Sequence, residues 1–397
     1  MKTIAAIGIA ALGLSGCAST STQGSVDAAA VHRDLLVLDT HLDTPINFGR
    51  EGWDFAARHD VANEIAQVDL GRMAEGHLDG GFFVIYTEQG ELTSAGYRDA
   101  LAFARGRSDA IDREIAAHPE MIRFARSADE VEALAAAGQL VALKAIENSY
   151  PLGEDLSLLR EFYDRGVRMA GPVHSGTNQF ADAAGGEARW NGLSPLGRAW
   201  VAEMNRLGMV IDASHSSDAA FDEMVALSRT PLILSHSSPK AAFDHPRNLD
   251  NARIRRLAQS GGAMCMSTVF LSTMNLTEER GALFEQYESI ADLSPAEQQE
   301  LSRRWRALDE TEPMWATSFE QYMDALLQLI ELAGVDHVCF GADWDGGGGI
   351  QGLEDITGLP IVTQRLLEAG HSPNDIEKMT SGNVLRLMRA AEAARGQ

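Results

Sequence analysis

Hydrophobic positions along the chain fall into short continuous runs separated by longer stretches with helical spacing. The runs predict strands at Leu35–Asp39, Gly81–Tyr86, Leu140–Ile146, Val167–Val173, Met209–Ala213, Leu232–Ser235, Gly262–Ser267 and Val338–Gly341. Most are apolar throughout rather than alternating, the pattern of parallel strands covered on both faces. Between most of them lie amphipathic stretches long enough for a crossover helix, such as Ala95–His118, Leu156–Arg165, Pro195–Leu207, Asp218–Ser228 and Asn251–Gln259. Eight strands alternating with helices predict an α/β fold, a closed (β/α)8 TIM-type barrel. The alternative, an open doubly wound sheet, usually carries a glycine-rich phosphate loop after its first strand. None follows Asp39. Phe270–Pro313 breaks the rhythm. It is rich in Glu, Gln, Arg and Ser, with Leu271-Ser272-Thr273 and Leu293-Ser294-Pro295 as helix starts. It reads as a helical insertion between strands seven and eight rather than a separate domain. Thr317–Ala333 leads into strand eight, and Ile361–Glu368, Asn374–Met379 and Asn383–Ala394 close the fold.

The start of the chain follows a different pattern. Lys2 precedes an apolar run from Ile4 to Leu14, and Leu14-Ser15-Gly16-Cys17 reads as a lipobox. The run is shorter than the ~20 residues of a bilayer span. These features predict a lipoprotein signal peptide over residues 1–16, lipid attached to Cys17, a flexible tether over 17–30 and a barrel domain over 31–397. Ordinary cleavage at Ala18 or beyond is the alternative. Ala18 follows the cysteine, where an Asp would favour retention in the inner membrane. The chain is therefore expected in the cell envelope, on the outer membrane if the source is Gram-negative, with the membrane as a partner through Cys17.

Composition narrows the chemistry. The chain has 397 residues, 45% of them hydrophobic, enough for a large core. Its net charge of −24 argues against nucleic acid as a partner. Cys265 and Cys339 lie in apolar runs and read as buried thiols; no cysteine spacing suggests a zinc finger or a disulfide framework.

In such a barrel, catalytic groups sit at the C-terminal ends of the strands. Those ends carry His41 and Asp43, Glu147, His174, Asp212 and His215, His236, and Asp343 and Asp345. His41 and Asp43 are two apart on one strand and share a side. Histidines and carboxylates without cysteine suit Zn2+ or a similar first-row ion, and there are enough for two ions. The natural division gives His41 and Asp43 to one and His215 and His236 to the other, with Glu147 the best bridging carboxylate. Lys144, another conceivable carrier of a bridge, is an odd number of residues from Glu147 and should face away. Asp39, Asp212 and Asp345 read as supporting acids and His245 as structural. Gly346–Gly349 lacks a following Lys-Ser/Thr and reads as a flexible rim.

Taken in order, several motifs make this chain resemble the membrane (renal) dipeptidase family of metallopeptidases, a branch of the amidohydrolase-like barrels. They are Asp39-Thr40-His41-Leu42-Asp43-Thr44-Pro45, Gln67-Val68-Asp69-Leu70, Ala145-Ile146-Glu147-Asn148, Ser194-Pro195-Leu196-Gly197-Arg198, Glu203 to Met209, Asp212-Ala213-Ser214-His215, Ser235-His236-Ser237, Asp244 to Leu249 and Gly341 to Gly346. The resemblance covers about Leu35 to Arg386. It implies two Zn2+ per chain, bridged by Glu147 and a water or hydroxide. His41, Asp43 and Glu147 match the ligands of one ion, and Glu147, His215 and His236 those of the other. Asp343 matches the acid beside the bridging water, His174 the histidine that contacts the substrate carbonyl, and Arg247 the arginine that holds the substrate carboxylate. The implied activity is hydrolysis of dipeptides, including those with a C-terminal D-residue, by a homodimer. Asn148-Ser149-Tyr150-Pro151 and the neighbours of His174 depart from the family pattern, which bears on substrate preference. Two other readings stand beside it: an N-acyl-amino-acid deacylase or other amidohydrolase on the same centre, and a non-catalytic metal-binding surface lipoprotein.

Overall fold

The structure is a computed structural model that describes residues 27–396. The expected signal peptide, Cys17 with its expected lipobox, and all but the last residues of the expected tether lie outside the described residues. Nine strands are present among those described: β1 (Leu38–Leu42), β2 (Gly80–Tyr86), β3 (Ile122–Phe124), β4 (Leu140–Glu147), β5 (Val167–Ala170), β6 (Val210–Ile211), β7 (Ile233–Ser237), β8 (Ala263–Met266) and β9 (Val338–Phe340). The helices are α1 (Ala28–Asp34), α2 (Leu70–Gly76), α3 (Ser94–Ala117), α4 (Ala128–Ala136), α5 (Ser157–Asp164), α6 (Pro195–Leu207), α7 (Asp218–Leu227), α8 (Asn251–Gln259), α9 (Glu278–Glu288), α10 (Pro295–Thr311), α11 (Phe319–Ala333), α12 (Leu359–Glu368), α13 (Pro373–Glu377) and α14 (Asn383–Ala394).

All strand pairs are parallel. One sheet runs β1-β2-β4-β5-β6 and a second runs β7-β8-β9. Single bridges join the sheets at both seams, Asp212 with Ile233 and Leu42 with Trp344. The curled sheet is thus the (β/α)8 barrel that the apolar runs predict, and its last strand returns to its first. β3 is an extra strand, paired to the first residues of β4 before β5 takes over that edge. No run of apolar residues announces it, because it has three residues and only Ile122 is buried.

Strand alternation sorts the side chains. Val141, Leu143 and Ala145 face the barrel interior with Leu38, Phe82, Met169, Val210 and Ile233, and Val384, Leu387 and Met388 of α14 close that end. Asn383 of α14 donates from Nδ2 to the carbonyls of Val335 and Val338, both at 2.8 Å, at the start of β9. Lys144 points outward instead, to Asp112 Oδ1 at 2.6 Å and the Arg165 carbonyl at 3.0 Å.

Five sequence expectations are corrected. Cys265 and Cys339 are joined in a disulfide rather than free. They stand directly opposite each other on β8 and β9, and a separation of 74 residues hides that pairing from any reading of spacing. The strand expected to reach Val173 ends at Ala170, and that expected over Met209–Ala213 shortens to Val210–Ile211. The residues beyond each loosen into the loops that carry His174 and His215. α1 begins inside the expected tether, capped by Asp27, and His32 anchors it through Thr363 Oγ1 at 2.7 Å and the Gly76 carbonyl at 3.0 Å. Between β8 and β9, α9 and α10 fill the stretch expected to be helical. Leu271-Ser272-Thr273 starts no helix; Thr277 caps α9, and Ser294 with Glu297 forms a capping box on α10. No described helix is long and apolar enough to cross a membrane.

Candidate active site

β1 delivers His41, and the seam hydrogen bond from Asp43 N–H to the Trp344 carbonyl, 2.9 Å, holds Asp43 beside it. His41 Nε2 lies 3.3 Å from Asp43 Oδ2 and 3.3 Å from Glu147 Oε2. The other oxygen of Glu147 faces a second pair. Glu147 Oε1 lies 2.8 Å from His215 Nε2 and 3.5 Å from His236 Nε2. Asp343 Oδ1 is 3.9 Å from His41 Nε2, and His174 Nε2 is 3.9 Å from Glu147 Oε1. Three groups have donor atoms close enough to share an ion: His41–Asp43–Glu147, Glu147–His215–His236 and His41–His236–Asp343. The sequence-predicted ligands, together with Asp343 and His174, therefore meet around one carboxylate.

The fit of this donor set to divalent cations can be tested on the side chains themselves. His41 Nε2 is fully buried with no hydrogen-bond partner among the described residues. The Nε2 atoms of His215 and His236 approach to 2.8 Å. Two imidazole lone pairs and a carboxylate oxygen converging this closely suit a common cation. Burial opposes a charge on His41, yet Glu147 and Asp43 outweigh it and hold its pKa well above the ordinary value. Burial likewise opposes ionisation of Glu147, and His41 and His174 overcome it, keeping the carboxyl well below its usual range. Burial pushes His215 and His236 well below the usual imidazole range, Arg247 adding to both. Burial therefore favours the neutral form of these two imidazoles. Burial raises Asp343 to about 8, with Asp43 and Glu147 adding to it against the pull of His41.

The sequence reading gave Ser235 no role, but it lies beneath the rings. Its hydroxyl donates to Asp212 Oδ2 at 2.5 Å and sits 2.9 Å from His236 Nδ1 and 3.4 Å from His41 Nδ1. A hydroxyl that donates to Asp212 must accept from His236 Nδ1–H. That fixes the tautomer and leaves the Nε2 lone pair facing Glu147. Asp212 also accepts from the N–H groups of Ser214 and Ser235 at 2.9 and 3.0 Å. Asp39 accepts from the N–H groups of His41 and Ala342 at 2.8 and 3.1 Å. Asp345 points away from the cluster, to Thr44 Oγ1 at 2.8 Å and Gln67 N–H at 2.7 Å. His215 and Asp343 adopt φ of 64° and 68°, a left-handed backbone that turns each side chain back over the barrel mouth. Gly346 is not a loose rim residue: a Cβ there would collide with Asp43 Oδ2 and Asp343 Oδ1.

The cluster forms the floor of a cavity of about 740 Å3. Arg247 lines it, 9% exposed, with Nη1 donating to Ser237 Oγ at 2.8 Å and Nη2 to the His236 carbonyl at 2.9 Å. Its Nε has no partner among the described residues. Tyr86 at the end of β2 meets the His174 ring edge-on at 4.9 Å. The walls also include Phe270, Phe284, Tyr287 and Trp315. Sequence reasoning missed these, because they come from loops and from α9, where no strand-end rule applies.

Comparisons with known proteins agree with this geometry. The family described as Membrane dipeptidase (Peptidase family M19) matches residues 26–397. Dipeptidase tcpJ of Claviceps purpurea is 30% identical over 331 residues, covering 82% of this chain and 69% of that protein. Mouse Dipeptidase 3 is 27% identical, covering 93% of this chain and 67% of that protein. The probable dipeptidase PvdM from Pseudomonas aeruginosa shares the fold with a TM-score of 0.78 and 27% identity, covering 92% of this chain and 98% of that one. A Rhodobacter sphaeroides metallopeptidase, solved with a phosphinate mimic of the dipeptide L-Ala-D-Ala, has a TM-score of 0.71 at 24% identity, covering 90% of this chain and 99% of that one. A family match across the whole described chain, over a buried histidine–carboxylate centre, leads to one conclusion: this chain belongs to the membrane dipeptidase family, peptidase family M19, and is a metal-dependent dipeptidase.

Proposed function

We propose that the chain uses two zinc ions, His41 and Asp43 holding one, His215 and His236 the other, with Glu147 shared between them. The observation that carries this reading is the division of Glu147, one oxygen toward each histidine group. Zinc bound there supplies an activated water for attack and polarises the scissile carbonyl. The remaining steps belong to side chains. Asp343 stands at the floor of the cavity with Oδ1 3.9 Å from His41 Nε2, placed to take the proton of that water. From there it returns the proton to the leaving amine. His174 donates to the carbonyl oxygen as negative charge develops. Arg247 has an unpaired Nε and offers the fork that grips the carboxylate of the C-terminal residue.

Strand order extends the argument across the cavity. In the ring of eight, β2 lies opposite β7, the strand before Arg247. Glu88, just past β2, and Glu288, at the end of α9, line that far wall. A substrate with a carboxylate at one end and a free amine at the other suits this polarity, which favours a dipeptide over an N-acyl amino acid. The test is a panel of L,L and L,D dipeptides, their C-terminal amides and N-acetyl amino acids on zinc-loaded enzyme, with a chelator control. Free dipeptides should be cleaved, and their amides about a hundredfold less well, the order expected when a buried charge loses its partner. Cleavage of N-acetyl amino acids at the same efficiency would instead make the chain a deacylase. Arg247→Ala should raise the KM for dipeptides; an unchanged KM would remove Arg247 from carboxylate binding.

We further infer that the mature chain is held in the cell envelope by lipid on Cys17. The Cys265–Cys339 disulfide supports an oxidising compartment. Mass spectrometry of the mature N-terminus tests this. An unmodified terminus beginning at Ala18 or later would count against it.

A further inference from the structure

The cavity wall beside Arg247 is apolar and is built around a residue with an unusual backbone. Phe270 has φ 53°, a left-handed conformation uncommon for a bulky side chain. Its ring stacks on His245 at 4.3 Å and 10°, and it meets Trp315 edge-on at 5.3 Å. Its carbonyl accepts from Asn248 Nδ2 at 2.8 Å. His245 Nδ1 in turn accepts from the Arg247 N–H at 3.2 Å. Both neighbours of the Pro246-Arg247 pair are thus fastened to Phe270. Trp315 is held by its own bond from Nε1 to the Gly347 carbonyl, 2.7 Å. Phe270, Met274, Trp315 and Arg247 line the same cavity. A strained backbone of this kind persists where the surroundings over-determine it, and such residues concentrate at ligand clamps.

The chemistry of a dipeptide gives this wall a ligand. The carboxylate and side chain of the C-terminal residue branch from one Cα. A carboxylate gripped by Arg247 therefore brings that side chain against the wall that Arg247 shares. None of Phe270, Met274 or Trp315 offers a charge to a polar group placed there.

We propose that Phe270, with Met274 and Trp315, forms the subsite for the side chain of the substrate's C-terminal residue and selects apolar residues at that position. The proposal rests on the dipeptidase reading and adds the identity of the leaving residue. It is tested by measuring kcat/KM for Ala-Phe, Ala-Leu, Ala-Asp and Ala-Gly, with both C-terminal stereoisomers of the first three, on the zinc-loaded full chain. The wild type should prefer Ala-Phe and Ala-Leu over Ala-Gly by about tenfold or more, as expected for burying a large apolar side chain, and should disfavour Ala-Asp. Phe270→Ala should collapse the Ala-Phe to Ala-Gly ratio toward one, and Phe270→Leu should restore part of it. Phe270→Ala also disturbs the loop that carries Arg247, so Met274→Ala is the second variant. It leaves Phe270 in place and should lower the same ratio by about threefold. A wild type without preference, or ratios unchanged in both alanine variants, overturns the subsite and leaves the dipeptidase reading standing. A wild type that cleaves none of these dipeptides overturns both.

Discussion

Along β4 the interior positions are Val141, Leu143 and Ala145, and then Glu147. The first three pack against apolar residues of neighbouring strands and against α14. Glu147, one step further, faces His41, His215 and His236. The two ends of the barrel interior thus come from the same strands, about 7 Å apart per two residues, yet they follow opposite rules. At the lower end the apolar side chains are satisfied by burial, and the gain is the ordinary transfer of apolar surface. At the upper end burial works against the side chains, pushing Asp343 to about 8 and opposing the charges on His41 and Glu147. The lower end stabilises the fold, and the upper end uses that stability to hold reactive groups together.

The largest expected effect breaks the upper end. Glu147→Gln keeps the shape of the side chain but removes the charge shared by both groups. kcat/KM should fall at least about a thousandfold, on the order of 4 kcal/mol of transition-state stabilisation. Zinc content should fall below two ions per chain. Full activity with undiminished zinc would remove Glu147 from the centre. A change at the lower end should do the reverse. Leu143, fully buried, should cost about 2–5 kcal/mol of stability on substitution by Ala. Denaturant unfolding would show the loss, and kcat/KM per folded molecule should stay within about twofold, the expectation for a site two layers away. A matching loss of activity would mean that the two ends are not separable.

The smallest effect tests an exception at the lower end. Asp79, just before β2, accepts from the Val37 N–H at 2.8 Å and is pushed up to about 6 by burial. The folded state therefore holds this proton more tightly than the unfolded chain. The group's stabilising contribution is complete below about pH 4 and is lost as pH rises through about 6, by no more than about 2–3 kcal/mol. Asp79→Asn should flatten that slope, so that the variant gains on the wild type between about pH 4 and pH 7 in metal-free unfolding experiments. A constant difference across that range would show that Asp79 is not the titrating group.

Much of this contrast was legible in the sequence. Continuous apolar runs revealed the barrel strands, and the change from apolar to His or acidic at their ends marked the upper layer. His41 and Asp43 were readable because strand periodicity is local, as was the outward turn of Lys144. The rest depended on register and on loops. The disulfide needs β8 beside β9 in a particular alignment. Ser235 acquires its role only because β7 sets its hydroxyl between Asp212 and two imidazoles. The walls of the cavity include Phe270 and α9, in a stretch that reads only as a helical insertion because its polar residues outnumber the few that turn inward, and Trp315 just beyond it. β3 was invisible because three residues form no pattern.

The seam between Leu42 and Trp344 has a further consequence, for the order in which the protein is made. It joins the first barrel strand to the end of the last, and the centre draws on residues from His41 to Asp343. α14, which closes the opposite end, follows later still. Contacts this distant along the chain form late and slowly. The early strand–helix units can fold among themselves, but Asp343 and the closing seam of the barrel are absent until the final strand is in place. The beginning of the chain must therefore meet its end before Asp343 can stand beside His41.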